Sequence, residues 1–297
     1  MPSPSDLDFY RRPGPMTAID ARHRPAFHGL VADPRTLAEV VRGVLVHRDW
    51  APLMGLSFDT ARLADQQIRP VNDVLDRIQE LSPGPLSDVR PGRDRMVAVC
   101  RHFAVLHVAL LRHFGLPARA RAGFGGYFSP SRWEDHWITE WWDGKRWVRH
   151  DAQIGSQARE VLALDFDPAD QPAGRFLTGA EAWIRCCAGG ADPDDFGIFD
   201  IRGLDFVYGD LLLDLASLNR VELLPWDALA FGSWPPDEDQ LERVDRLAEV
   251  ICVDDLSALR ATYALRPVPE TITTLLDGIP TPARLGALVR PDEEVPA

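Results

Sequence analysis

Lysine is almost missing from this chain: of 32 basic Lys and Arg side chains, only Lys145 is lysine. With abundant Ala and Pro, that bias fits a GC-rich coding sequence and carries no functional signal. Cysteine is scarce too. Four residues, with Cys186 and Cys187 adjacent, make neither a disulfide framework nor a zinc spacing. No apolar run approaches the roughly 18 to 20 residues that a membrane span needs. The N-terminal stretch MPSPSDLDFYRRPGP lacks the apolar segment of a secretory signal. There is no H-E-x-x-H or comparable ligand motif, no internal repeat and no low-complexity tract. These absences point to a cytoplasmic chain with no membrane span, metal or cofactor.

What is present is an ordinary globular composition, 45% hydrophobic and 26% charged over 297 residues. Charge is uneven. Residues 1–125 carry 17 basic and 13 acidic side chains (+4), and the remainder 15 and 32 (−17), which gives the net −13. An acidic surface repels phosphate backbones, so nucleic acid is not an expected partner. No feature fixes an oligomeric state. Three regions are expected: an N-terminal tail or arm over 1–30, a core over 31–165 and a mostly helical region over 166–297. Helical spacing runs through 35–50, 67–81 and 96–114, the last stopped by Gly115 and Pro117. The stretch 118–128 reads as a strand ending in glycines, and 207–226 and 239–253 read as amphipathic helices.

The stretch WWDGKRW, residues 141–147, holds an Asp-Gly pair between strand-like residues, a strong signal for a two-residue hairpin turn. With Asp143 and Gly144 at the centre of the turn, Glu140 opposes Trp147, Ile138 opposes Arg149, and His136 opposes Asp151. Side chains alternate along a strand and directly opposed Cβ atoms lie roughly 4.5–5.5 Å apart, so this register hands an imidazole to a carboxylate. An imidazole so held commonly serves a nucleophile or a metal. The candidate nucleophile is Cys100, near the start of the long helix, where the helix dipole and a nearby imidazolium would favour the thiolate. Asp151 would then hold His136 in the useful tautomer. Without the hairpin, Cys100 reads as a small buried hydrophobe and His136–Asp151 as a structural cross-strand pair.

At these residues the chain resembles the transglutaminase-like superfamily, over roughly residues 94–153. Cys100-Arg101-His102-Phe103-Ala104 looks like the family's nucleophile-bearing helix start. Gly115-Leu116-Pro117-Ala118-Arg119 is similar to its Gly-(Ile/Val)-Pro-Ala-Arg link into a strand. His136, a glycine turn, Trp147-Val148 and Asp151 resemble its histidine and aspartate segments, in the same order. Trp137 stands where the family often has Ala, and Ala152-Gln153 where Pro-Thr is usual, which leaves the subgroup open. The resemblance implies an α+β, papain-like core, a nucleophile helix against an antiparallel sheet, with helical N- and C-terminal extensions. It also implies acyl transfer or hydrolysis at an amide or ester carbonyl of a peptide or small molecule, through a thioester, with water or an amine as acceptor. A catalytically silent binding or assembly module on the same fold is the alternative.

Around this set, Trp133 and Trp137 flank the histidine as possible walls of a substrate groove. Arg119 and Arg121 share one strand face and offer forks for a substrate carboxylate, or else form ion pairs. Glu140 reads as a structural partner of Arg149. His102, His107, His113 and His150 read as structural residues. The Cys100 N–H is the first expected oxyanion donor; Gln66 and Gln67 are both open as the second.

Overall fold

The computed structural model describes residues 1–229, 237–276 and 278–290. Its first helix, α1 (Pro4–Arg11), begins at a Ser3 cap with proline in the first turn, and buries Phe9 and Tyr10. Met16 and Thr17 are buried as well, so the N-terminal arm packs onto the rest rather than trailing away.

Helix α2 (Pro34–Val44) starts at Asp33, whose carboxylate accepts the Thr36 N–H at 2.8 Å. It ends earlier than its spacing suggests, because Leu45–His47 form strand β1, paired in parallel with β2 (Met96–Ala98). The short α3 (Thr60–Leu63) is followed by α4 (Val71–Leu81), which begins after Pro70 and not at 67. Proline disfavours helical backbone in the residue before it, and here it caps the helix. The same correction applies to the long apolar helix. Residues 96–98 are strand, Val99 is extended, and α5 runs Cys100–His113. Gly115, at φ +77°, and Pro117 end it as expected. This earlier break makes Cys100 the first helical residue.

Strands β3 (Ala118–Gly125), β4 (Trp133–Trp142) and β5 (Trp147–His150) form the antiparallel centre of the main sheet. The sheet does not stop near residue 165. After the short α6 (Ser156–Val161), β6 (Phe176–Thr178) joins the outer edge of β3, and β7 (Phe196–Ile198) with β8 (Ile201–Arg202) extends it beyond β4. Between these strands lies α7 (Gly179–Cys187). Then α8 (Leu204–Leu218) packs across the sheet, stopping at 218 rather than 226. Helices α9 (Glu238–Val253) and α10 (Leu256–Leu265) follow, and a small sheet of β9 (Asp227–Ala228), β10 (Thr271–Leu276) and β11 (Ile279–Arg284) completes the C-terminal part.

The sheet lies between two helices, as its side-chain alternation dictates. Thr139 is paired with Ala120, and its hydroxyl donates to the Ala104 carbonyl of α5. Arg121, on the other face, bonds Asp214 of α8 through both carboxylate oxygens at 2.9 and 2.8 Å. Alanines at 118, 120 and 122 leave room for α5 to lie close, and the shared core is continuous through Phe103, Leu106, Trp137 and Leu211. The fold is α+β, with a helix set against a sheet whose centre is antiparallel and whose β4–β7 pair is parallel.

Candidate active site

The hairpin forms, but with a longer loop than Asp-Gly alone suggests. Trp142 pairs with Trp147, Glu140 with Arg149 and Thr139 with His150, so four residues, 143–146, make the connection. The Asp143 carboxylate explains the length. It accepts from the Lys145 and Arg146 N–H groups at 2.7 and 2.8 Å, a side-chain turn that holds the loop open, with Gly144 at φ +99°. The register is displaced by two residues. An even displacement keeps every side chain on its expected face, whereas an odd one would have separated the pair. Asp151 therefore falls just past the last paired residue, diagonal to His136 instead of opposite it. The two still meet, with His136 Nε2 and Asp151 Oδ2 2.8 Å apart.

The outer edge of β4 is shared. β7 takes residues 133–134 and β5 takes 139–142, so residues 135–138 have no strand on that side. The N-terminus of α5 fills this gap. There the backbone N–H groups of Trp137 and, within the helix's first turn, Arg101 lie close enough to the Cys100 sulfur to favour its charged form. Cys100 thus sits against β4 at this split, within electrostatic reach of Asp135 and of Asp151, the partner of His136.

Asp151 is fully hydrogen-bonded. Its Oδ2 also accepts from the Tyr127 hydroxyl at 2.7 Å, and its Oδ1 from the N–H groups of Gln153 and Ile154 at 2.9 and 3.3 Å. Burial pushes this carboxyl up, but His136, Tyr127 and the Gln153 N–H outweigh it and hold it below the usual carboxylate range. Gln171 in turn donates to the Tyr127 oxygen at 3.2 Å. With Nε2 committed to Asp151, Nδ1 is the ring nitrogen left for chemistry.

The thiol does not follow the expectation of a lowered pKa. Burial first, then the nearby Asp135 carboxylate, hold Cys100 well above the ordinary thiol value, against the pull of the Trp137 and Arg101 N–H groups. Asp135 is itself buried beside His136, with Oδ1 lacking a hydrogen-bond partner among the described residues, and burial raises its carboxyl to about 7. The resting form of Cys100 that suits this environment is the thiol, the proton leaving sulfur as attack proceeds.

His102 shapes the helix start. Its Nδ1 accepts the Val99 N–H at 3.3 Å and its Nε2 donates to the Ile68 carbonyl at 2.9 Å. The Val97 N–H approaches the Asp65 carboxylate at 3.5 Å, so residues 65–68 run beside 97–102 with Gln66 between these anchors. Gln66 is buried, and its Oε1 accepts from Arg48 Nη1 at 2.8 Å. Gln67 is turned elsewhere, its Oε1 accepting from the Trp226 indole at 3.1 Å.

Four expectations need correction. Arg119 and Arg121 are only 3% and 6% exposed, and their forks are filled by protein carboxylates. Glu140 binds both at 2.8 and 2.9 Å, Asp254 takes Arg119 through two bonds, and Asp214 takes Arg121 likewise. No open fork remains for a substrate carboxylate. Arg149 also reaches Glu140, at 3.2 Å, from directly across the ribbon. Trp137 is 1% exposed, in the main core, and Trp133 stacks on Phe196 at 5.7 Å with Arg185 over its ring. Neither forms an open wall: Trp137 is enclosed in the main core, and Trp133 is covered where the parallel strand β7 pairs with residues 133–134. Sequence reasoning missed Tyr127, His47, Trp50, Phe128 and Asp135 near the histidine. The glycine cluster before Tyr127 was the one local signal, since Gly125 and Gly126 make room for bulky neighbours.

Residues 82–152 match the core model of the transglutaminase-like superfamily. This transglutaminase-like segment includes all three candidate residues, and it ends one residue after Asp151. Among solved structures, the chain resembles one described as "a Putative Cysteine Protease from Cytophaga hutchinsonii", at 18% identity and a TM-score of 0.33. That likeness spans 51% of this chain and 43% of the neighbour. A search of curated proteins gave no match. No helix among the described residues is long and apolar enough to cross a membrane.

Proposed function

We propose that this transglutaminase-like chain transfers acyl groups through Cys100, with His136 as proton carrier and Asp151 as its orienting carboxylate. The observation that carries the reading is the 2.8 Å bond between His136 Nε2 and a fully hydrogen-bonded Asp151, beside a cysteine at a helix N-terminus. Asp151 accepts the Nε2 proton, so Nδ1 carries the lone pair. The Cys100 sulfur attacks the carbonyl carbon of an amide or ester while its proton passes to Nδ1. A raised thiol pKa favours this coupled transfer over a standing thiolate. The oxyanion lies against the Cys100 N–H and the amide of Gln66, whose carbonyl end is held by Arg48. Collapse breaks the bond to the leaving amine or alcohol, which takes the proton from Nδ1, and a thioester remains. Water or an incoming amine then gives its proton to Nδ1 and attacks the thioester, releasing the acyl product and the thiol.

The test is intact mass after exposure to iodoacetamide, with Cys100→Ala as control. One selective adduct is expected at Cys100, over Cys186, Cys187 and Cys252, together with an acyl-enzyme when amide or ester substrates are offered. Labelling confined to the exposed Cys187 and Cys252 would favour the silent binding module instead.

A further inference from the structure

The side of the site away from the sheet is aromatic, and the triad does not use it. Phe103 stands one turn along α5 from Cys100. The His47 ring lies 6.3 Å from Phe103 and 5.9 Å from Trp50. Trp50 meets Phe128 edge-on at 6.3 Å, and Phe128 meets His136 edge-on at 4.8 Å. Ring contacts therefore run unbroken from the nucleophile's helix to the imidazole.

Three segments distant in sequence build this wall, and each has a local reason to be there. The pairing of His47 with Ala98 sets the β1 end beside the start of α5. A Cβ on Gly125 would lie 2.7 Å from the Phe128 ring, so the absent side chain is what lets Phe128 fold back over the strand and onto His136. Trp50 and Phe128 pack against Tyr127, Ile154 and Phe166 and are only partly buried. The Asp49 N–H donates to His47 Nδ1 at 3.3 Å, which places the ring proton on Nε2. Burial first, then His136 and Arg48, push this ring down to about 3, so it stays uncharged where His136 works. Half-exposed aromatic side chains beside a nucleophile are the usual material of a pocket for a flat apolar group.

Resting on the cysteine acyl-transfer reading, we infer that Trp50, Phe128 and His47 wall a subsite for a neutral aromatic or similarly flat apolar group on the substrate, next to the reacting carbonyl. The experiment compares the rates at which iodoacetamide, N-benzyl iodoacetamide and N-(2-aminoethyl) iodoacetamide alkylate Cys100 in the full chain, followed by intact mass. The benzyl reagent should react about tenfold faster than the parent, the size expected from partly burying one ring, and the aminoethyl reagent should gain nothing. Trp50→Ala and Phe128→Ala should bring the benzyl-to-parent ratio down toward one. Trp50→Leu, which keeps apolar bulk but no flat ring, should do so in part, and thermal melts establish that each variant is folded. Equal rates for benzyl and parent reagents in the unmodified protein, with Cys100 labelled, would overturn the subsite and leave the nucleophile standing. An aminoethyl reagent as fast as the benzyl one would overturn it too. If no reagent labels Cys100, the nucleophile and the subsite fall together.

Discussion

Asp151 has four donors, and each contributes separately to its work. Two backbone N–H groups fix Oδ1, so the carboxylate cannot rotate away, and Tyr127 shares Oδ2 with His136. Replacing Asp151 by Asn leaves the shape but presents an amide where the imidazole needs an acceptor. By comparison with other triads the rate should fall by about 10²–10⁴. Tyr127→Phe removes a different function. It frees Oδ2 for His136 alone and costs one hydrogen bond to a charged group, about 1.5–3 kcal/mol of stability. Turnover should change far less than for Asp151→Asn while the melting temperature drops. Thermal melts alongside a substrate assay separate the two: a Tyr127→Phe loss as large as that of Asp151→Asn would place the hydroxyl in the chemistry. Cys100→Ala deletes one buried sulfur and should cost on the order of 1 kcal/mol while abolishing turnover. A variant that melts far lower and still turns over would make Cys100 structural.

At the scale of elements, the sheet was legible where periodicity spoke and illegible where a side chain or a distant segment decided. Asp143-Gly144 announced the hairpin correctly. Its loop length depended on the Asp143 carboxylate capturing two N–H groups, a choice that strand pattern does not encode. The His136–Asp151 pair survived because the error was even. Helix α5 lost its first turn to β2 because β1, some fifty residues earlier, supplies a strand partner for Met96–Ala98. The aromatic side of the site was hidden for the same reason: His47 and Trp50 reach it only through that pairing. Arg119 and Arg121 had been given a structural alternative, and α8 and the residue after α9 decide for it by bringing Asp214 and Asp254. Glu140 is the centre of this network, buried and facing three arginines, whose charge holds its carboxyl far below the usual range despite burial. Glu140→Gln would leave buried guanidinium groups short of a counter-charge and should cost about 3–5 kcal/mol. Chemical denaturation would show it as a lower midpoint at unchanged slope, and a loss under 1 kcal/mol would mean that the arginines re-pair with Asp214, Asp254 and Glu181.

Across the whole molecule, α8 lays two aspartates against the sheet, and they differ in kind. Asp214 has Arg121, while Asp210 is buried with Oδ2 unpartnered among the described residues. Burial and then Asp135 drive the Asp210 carboxyl well above its ordinary range, and burial raises Asp135 to about 7. The sign of the consequence is fixed by linkage. Between the ordinary carboxylate value near 4 and about 7, the folded chain keeps protons that the unfolded chain has released. Stability is therefore fully present below that window and declines as pH rises through it. Asp151 acts oppositely, stabilising above the ordinary value and losing its contribution only in stronger acid. The contribution of Asp135 and Asp210 should thus fall as pH rises from about 4 toward 7. His47, His102 and His107, each pushed down to about 3 by burial, act in the opposite sense up to the ordinary imidazole value. The pair is therefore read from a variant and not from the melting temperature alone. Asp210→Asn removes one of the two charges at a position outside the triad and gives Asp135 a potential donor. Its melting temperature should gain on that of the unmodified protein as pH rises across the window, and match or exceed it at about pH 8. Two curves that stay parallel from pH 5 to pH 8 would show that this buried pair holds no proton that matters to folding.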